Sequence, residues 1–274
     1  MEAGRPITHL ALELTGRCQL TCSHCYAESS PRGDHGVMNT ADWLCVLDSA
    51  AKYGVRTVQF IGGEPTLHPG CIDLVSHALS LDIGVEVFTN LTWVNEDLWA
   101  LYRHPGTTVA TSYYTDDAEV HDSFTGVRGS HHRTRSNIAE AVQRGVRIRA
   151  RVIDIGDGGT AARSELGLLG VTDVRVGKIQ GIGRAAHQGP PTVADLCGGC
   201  GIGQAAVDHR GDVTPCVMAK WLRVGNILRD PLETILDGPC MRARISTMAT
   251  EFKLQSHTGG DCGPKAGDED DKNG

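Results

Sequence analysis

The apolar stretch at residues 7–14, interrupted only by Thr8, His9 and Glu13, reads as a buried strand. Residues 38–53 repeat apolar positions at helical spacing, with Asn39 or Thr40 as the cap and Gly54 as the stop. A β-branched run at 56–61 ends at Gly62, and a helical period over 68–81 leads through Gly84 to a strand at 85–88. Further strands are predicted at 109–113, 146–155 and 171–179, and further helices at 137–144 and 161–169. Strands alternating with helices in this way imply a parallel sheet with right-handed crossovers. Six such units are too few for the eight-stranded closed barrel. The expected fold is therefore α/β, a partial (β/α)6 TIM-like barrel, and no internal repeat is visible.

The chain has 274 residues, enough for one full α/β core and an appendage. The expected partition is a barrel over 1–185, a small cysteine-rich extension over 186–264, and a disordered tail over 265–274, where Asp, Lys, Gly and Asn dominate. A formal net charge of -7 argues against a nucleic-acid partner, which would leave a basic footprint. No apolar run approaches the roughly 20 residues of a membrane span, and the N-terminus lacks the apolar core of a signal peptide. A cytoplasmic protein with no membrane partner is expected. In that compartment ten cysteines point to thiolate ligands rather than disulfides.

The cysteines fall into two groups. Cys18, Cys22 and Cys25 are spaced C-x3-C-x2-C just after the first strand, a triplet able to hold three corners of a cubane cluster and leave one iron open. Structural zinc reads differently, as two paired halves around a spacer. The second group, Cys197, Cys200, Cys216, Cys240 and Cys262, surrounds a predicted hairpin at 205–213 that turns at Arg210, Gly211 and Asp212. A second metal centre is suggested there, with a zinc ribbon as the alternative. Cys45 and Cys71 fall inside predicted helices and read as buried apolar thiols.

The triplet, the aromatic Tyr26 after its last cysteine, and Gly62-Gly63-Glu64-Pro65 together resemble the radical S-adenosylmethionine (radical SAM) superfamily. The resemblance implies S-adenosylmethionine (SAM) chelated by the open iron of a 4Fe-4S cluster on Cys18, Cys22 and Cys25. Reductive cleavage then gives methionine and a 5'-deoxyadenosyl radical that abstracts hydrogen from substrate. It also implies SAM contacts from Tyr26, Gly62, Gly63, Glu64, Pro65, Asn90 and Ser112, with Arg149 or Arg151 as further candidates, and an electron donor of the flavodoxin or ferredoxin type. Residues 125–134 look like a loop and helix start common in peptide-modifying members; His131 and His132 there need not be ligands.

From Cys200 the spacing C-x10-G-x4-C, followed by Val224 to Ile227 and a short helix around 232–236, resembles the SPASM and twitch extensions of that superfamily. A full SPASM series would need further cysteines that this chain lacks. One auxiliary 4Fe-4S cluster on Cys197, Cys200, Cys216 and Cys262 is implied, with Cys240 as the rival fourth ligand. Tyr113, Tyr114, Asp116 and Arg184 are candidates to face substrate. The function so implied is a peptide maturase that installs a cross-link or other oxidative modification on a ribosomally made precursor peptide. The alternative is a radical dehydrogenase or mutase acting on a small molecule such as an aminocyclitol, sugar or nucleoside. The chain starts almost at its first strand, so a maturase of this form is expected to use a separate leader-peptide-binding protein. A non-catalytic iron-sulfur or zinc scaffold leaves residues 62–65 unexplained.

Overall fold

The computed structural model describes residues 6–186 and 189–254. Cys262 and the tail at 265–274 lie outside the described residues. Six strands follow one another in the barrel: β1 (His9–Glu13), β2 (Thr57–Ile61), β3 (Gly84–Phe88), β4 (Thr107–Tyr113), β5 (Ile148–Asp154) and β6 (Asp173–Lys178). Each pairs in parallel with the next. Three more strands continue the sheet beyond β1: β7 (Gln204–Asp208), β8 (Asp212–Thr214) and β9 (Gly225–Asn226). The sheet order is β6-β5-β4-β3-β2-β1-β7-β8-β9. The extension is thus hydrogen-bonded into the barrel sheet, because β7 runs parallel to β1 from His9 opposite Gln204 to Glu13 opposite Asp208. The predicted hairpin forms as β7 and β8, antiparallel, around Gly211, whose positive φ of 80° suits glycine in a tight turn.

Successive side chains on a strand point to opposite faces, and β1 shows the result. Leu10 and Leu12 join the core that packs outward, together with Val58 and Phe60 of β2, Val85 and Val87 of β3, and Val207 of β7. His9, Ala11 and Glu13 occupy the alternate positions, and all are buried. Helices α1 (Thr40–Tyr53), α2 (Cys71–Ser80), α3 (Glu96–Tyr102), α4 (Ala118–Thr125), α5 (Ser130–Gln143) and α6 (Thr160–Leu168) follow the strands, and all but α4 contribute to the outward core. Trp43, Leu47, Leu74, Trp99, Ile138 and Leu166 are their main contributions to it. Two further helices, α7 (Leu232–Leu236) and α8 (Pro239–Leu254), follow the hairpin.

Local chemistry explains the boundaries. Asn39 accepts from the Asp42 backbone N–H at 3.1 Å while Asp42 accepts from the Asn39 N–H at 2.9 Å, a reciprocal cap that starts α1. Helix α5 begins seven residues before the predicted 137, because Asp122 on α4 accepts from Gly129, Ser130 and His131 and caps it from outside. Cys71 is buried as expected, but Cys45 is exposed. The apolar face of α1 carries Trp43, Val46, Leu47 and Ala50, and Cys45 falls on the opposite face. Among the described residues no helix is long and apolar enough to cross a membrane.

Candidate active site

Two loops are stitched together past the ends of β1 and β2. Leu14 donates to the Ile61 carbonyl at 2.8 Å, Gly63 to that of Thr15 at 2.7 Å, and Glu64 to that of Arg17 at 2.9 Å. A Cβ on Gly63 would lie 2.3 Å from the Arg17 oxygen, and one on Gly62 would lie 2.6 Å from the Thr15 oxygen. Only glycine permits this approach, so the paired glycines hold the cysteine loop against the second strand. Cys18 is buried at the start of that loop, receiving the Leu20 N–H at 3.4 Å and facing the Asn90 amide at 3.7 Å. Gln19 joins the same corner, donating to Asn90 at 3.1 Å and to Thr92 at 2.6 Å.

Burial, reinforced by the Glu64 carboxylate, pushes the Cys18 thiol up to about 12. Burial, with Cys25 adding to it, pushes Cys22 up to about 11. Such sulfurs ionise when a metal cation offsets the cost, and thiolates are the ligands an iron-sulfur cluster needs. Three unpartnered buried polar atoms stand beside the loop: His24 Nδ1, Tyr26 Oη and Ser29 Oγ. The donor set and these orphaned atoms fit a cluster with a polar ligand beside it.

One cavity of about 240 Å³ is lined by Cys18, Cys22, Cys25, Tyr26, Gly62, Gly63, Asn90 and Ser112, and also by Cys216 of the extension. Glu64 and Pro65 do not line it. Both are buried, and Glu64 uses one carboxylate oxygen on the Thr66 N–H and hydroxyl and the other on the Asn90 N–H at 2.8 Å. Burial raises its carboxyl above the ordinary range, while those hydrogen bonds pull the other way. Arg149 and Arg151 reach the cavity, and Arg149 grips Glu86 with two bonds of 2.6 Å. Among the described residues no Asp or Glu lines the cavity, whereas Arg149, Arg151, Lys178 and Arg184 do.

Of the candidates to face substrate, Tyr114 lines the cavity. Tyr113 points away, its hydroxyl bonded to His131 and Glu165, and Asp116 is exposed. Arg184 lines the cavity but is committed to the cysteine loop, donating to the Cys22 carbonyl at 2.7 Å and to that of Ser29 at 2.9 Å. His132 is exposed, whereas His131 is buried in the Tyr113 contact. Among the cavity residues that escaped the sequence reading are two histidines. His24 lies within 5.1 Å of both the Tyr114 and Phe124 rings, and its place just before Cys25 was an available signal. His121, on α4, is packed among Tyr113, Tyr114 and His131 with Nδ1 unpartnered, and nothing in its local sequence marks it. Burial takes both rings down to about 4.

In the extension, Cys200 and Cys216 are buried with their sulfurs 3.0 Å apart, among Ile182, Leu196, Ala219, Leu222 and Met248. Cys197 precedes Cys200 by three residues. Cys240, in the first turn of α8, is exposed. Tyr26 packs against this apolar group, and Lys220 sits 5.8 Å above the Tyr26 ring while pairing with buried Glu13 at 2.7 Å. Buried thiols in an apolar shell are a donor set suited to a second iron-sulfur cluster.

Two family models match the chain. The family model of the radical SAM superfamily matches residues 12–162, and that of an iron-sulfur cluster-binding domain, SPASM, matches 197–263. The antilisterial bacteriocin subtilosin biosynthesis protein AlbA of Bacillus subtilis is 26% identical, over 89% of this chain and 62% of its own length. A PqqA peptide cyclase of Rhodopseudomonas palustris is 31% identical, over 47% of this chain and 34% of its own. The chain therefore spans less than two thirds of the length of these relatives. Among solved structures, Streptococcus suis SuiB bound to its precursor peptide SuiA superposes with a TM-score of 0.73 at 17% identity, over 89% of this chain and 67% of that one. BtrN in complex with AdoMet and 2-DOIA gives 0.57 at 15%, over 93% and 92%. These structural likenesses establish the shared fold.

Proposed function

The chain belongs to the radical SAM superfamily, and on that premise we propose that it is a peptide maturase installing an oxidative modification, such as a cross-link, on a ribosomally made precursor peptide. The observation that carries this reading is that one cavity is walled by both cysteine sites, Cys18, Cys22 and Cys25 from the first and Cys216 from the second. A substrate held there lies between a centre that starts a radical and one able to take up an electron. The names of AlbA and the PqqA peptide cyclase, and the peptide bound to SuiB, point to the same substrate class.

In this reading Cys18, Cys22 and Cys25 hold the cluster that carries SAM, and Cys197, Cys200, Cys216 and Cys262 hold the auxiliary one. When bound, the first supplies the electron that cleaves SAM and releases the 5'-deoxyadenosyl radical. Tyr26, Gly62, Gly63, Asn90 and Ser112 form the SAM wall, and Glu64 with Pro65 braces it from behind. Ala11, Ile61, Phe88, Val217 and Met218 give the cavity an apolar lining that excludes water from a reactive intermediate. A flavodoxin- or ferredoxin-type protein would supply electrons, a separate protein would present the leader peptide, and the setting would be the cytoplasm.

The test is iron and sulfide content after anaerobic reconstitution, with 5'-deoxyadenosine assayed on adding dithionite and SAM. About eight irons per chain and 5'-deoxyadenosine are expected, and alanine at Cys18, Cys22 and Cys25 should abolish cleavage while leaving about half the iron. Absence of 5'-deoxyadenosine under any reductant sinks the reading. One observation favours the small-molecule alternative: BtrN matches this chain over nearly the whole of both. Mass change in a precursor peptide encoded beside the gene, on co-expression, decides between them.

A further inference from the structure

Just beyond β6 a short 3-10 turn, Gly183–Ala185, seats on the cysteine loop. The fit is close: a Cβ on Gly183 would lie 2.4 Å from the Cys25 oxygen and 2.5 Å from the Tyr26 oxygen. Arg184 then grips the loop at three points. Its backbone N–H donates to the Cys25 carbonyl at 3.1 Å, its Nε to Cys22 at 2.7 Å, and its Nη2 to Ser29 at 2.9 Å.

Every guanidinium acceptor here is a neutral carbonyl. Among the described residues Arg184 has no carboxylate partner, while Arg149, Arg144 and Arg135 each have one. A half-buried cation without a counter-anion is costly unless negative charge arrives beside it. Three thiolates outweigh the positive charge of a cubane core, so a cluster on Cys18, Cys22 and Cys25 supplies that charge. An added electron makes it more negative still. Net charge and surrounding polar groups set the potential of such clusters.

Resting on the cluster assignment above, we propose that Arg184 is a positioning residue that raises the reduction potential of the SAM-site cluster by placing an unpaired positive charge on the Cys22 and Ser29 peptide groups of the cysteine loop. The step is a one-electron reduction of the cluster by the external donor. No proton moves, because guanidinium stays protonated throughout. The charge favours the reduced cluster, and so eases priming of the enzyme by a weak donor.

The experiment is a redox titration of the reconstituted enzyme followed by electron paramagnetic resonance, on the signal that SAM perturbs. Arg184→Gln should move the oxidised-to-reduced ratio at fixed potential at least about tenfold toward oxidised, which is about 59 mV for one electron. Arg184→Lys, which keeps the charge, should stay within about threefold of the native ratio, since charge rather than fork geometry carries the effect. An unshifted ratio in Arg184→Gln, an equal shift in both variants, or loss of iron from both overturns the proposal. So does weaker SAM binding in Arg184→Gln with the potential unmoved. If Arg184→Gln alone loses iron, Arg184→Lys decides on the same criterion. Native protein that takes up no iron defeats the proposed function instead, so the two failures are separable.

Discussion

Individual side chains of this protein titrate far from their ordinary range, and the direction predicts behaviour. Burial holds His24, His68 and His121 near 4, and also lowers His9 and His209. An unfolded chain binds protons on these rings near the ordinary imidazole value of 6.5, so between 6.5 and about 4 the unfolded state is the more protonated. Stability is therefore full above 6.5 and is lost as the pH falls through that window. Glu64, raised by burial, works in the opposite sense but is outnumbered. The urea midpoint of the cluster-free protein should drop on acidification from neutral pH, and Gln at both His68 and His121 should flatten the drop. A midpoint independent of pH contradicts this account. Much of the residue-level site was readable in advance: the cysteine triplet and the paired glycines declare themselves by spacing. The grip of Arg184 on the cysteine loop did not, because its carbonyl partners Cys22 and Ser29 lie 162 and 155 residues away; His121 did not, because its ring contacts with Tyr113 and Tyr114 arise only once β4 and α4 pack together.

Helices and strands were legible in proportion to their apolar pattern. Strands β1 and β2 and helix α1 were found within two or three residues, since each alternates or repeats cleanly. Helix α4, Ala118–Thr125, was missed; its buried residues are His121 and Thr125 rather than an aliphatic stripe. It nevertheless governs α5, since the Asp122 carboxylate satisfies the Gly129 and His131 N–H groups and the Ser130 hydroxyl at the start of that helix. Asp122→Ala should cost about 1–3 kcal/mol in urea unfolding by orphaning those donors, and should loosen His131 and with it the Tyr113 contact. Wild-type stability in that variant would show the cap to be dispensable. Helix α8, Pro239–Leu254, is hard to read from the chain, because its polar and apolar positions separate weakly.

At the scale of the molecule, the partition into barrel and extension, plain in the cysteine distribution, is crossed by hydrogen bonds. β7 covers the edge of β1, and Lys220 pairs with Glu13 from across the junction. A sequence reading could place the hairpin but not its partner, since pairing register between distant strands leaves no local mark. The two parts should therefore unfold together. Urea transitions followed by tryptophan fluorescence, sensitive to Trp43 and Trp99 in the barrel and Trp221 in the extension, should coincide with those followed by circular dichroism; two separated transitions would count against a shared sheet. The pairing of His9 with Gln204 also has a consequence in time. Translation at about 5–20 residues per second delivers β7 roughly 10–40 s after β1. Throughout that interval β1, an interior strand of the finished sheet, is an edge strand, with a bare row of backbone groups open to any other chain. Folding during synthesis is where this protein is most exposed to aggregation, and slower delivery of its second half lengthens the exposure.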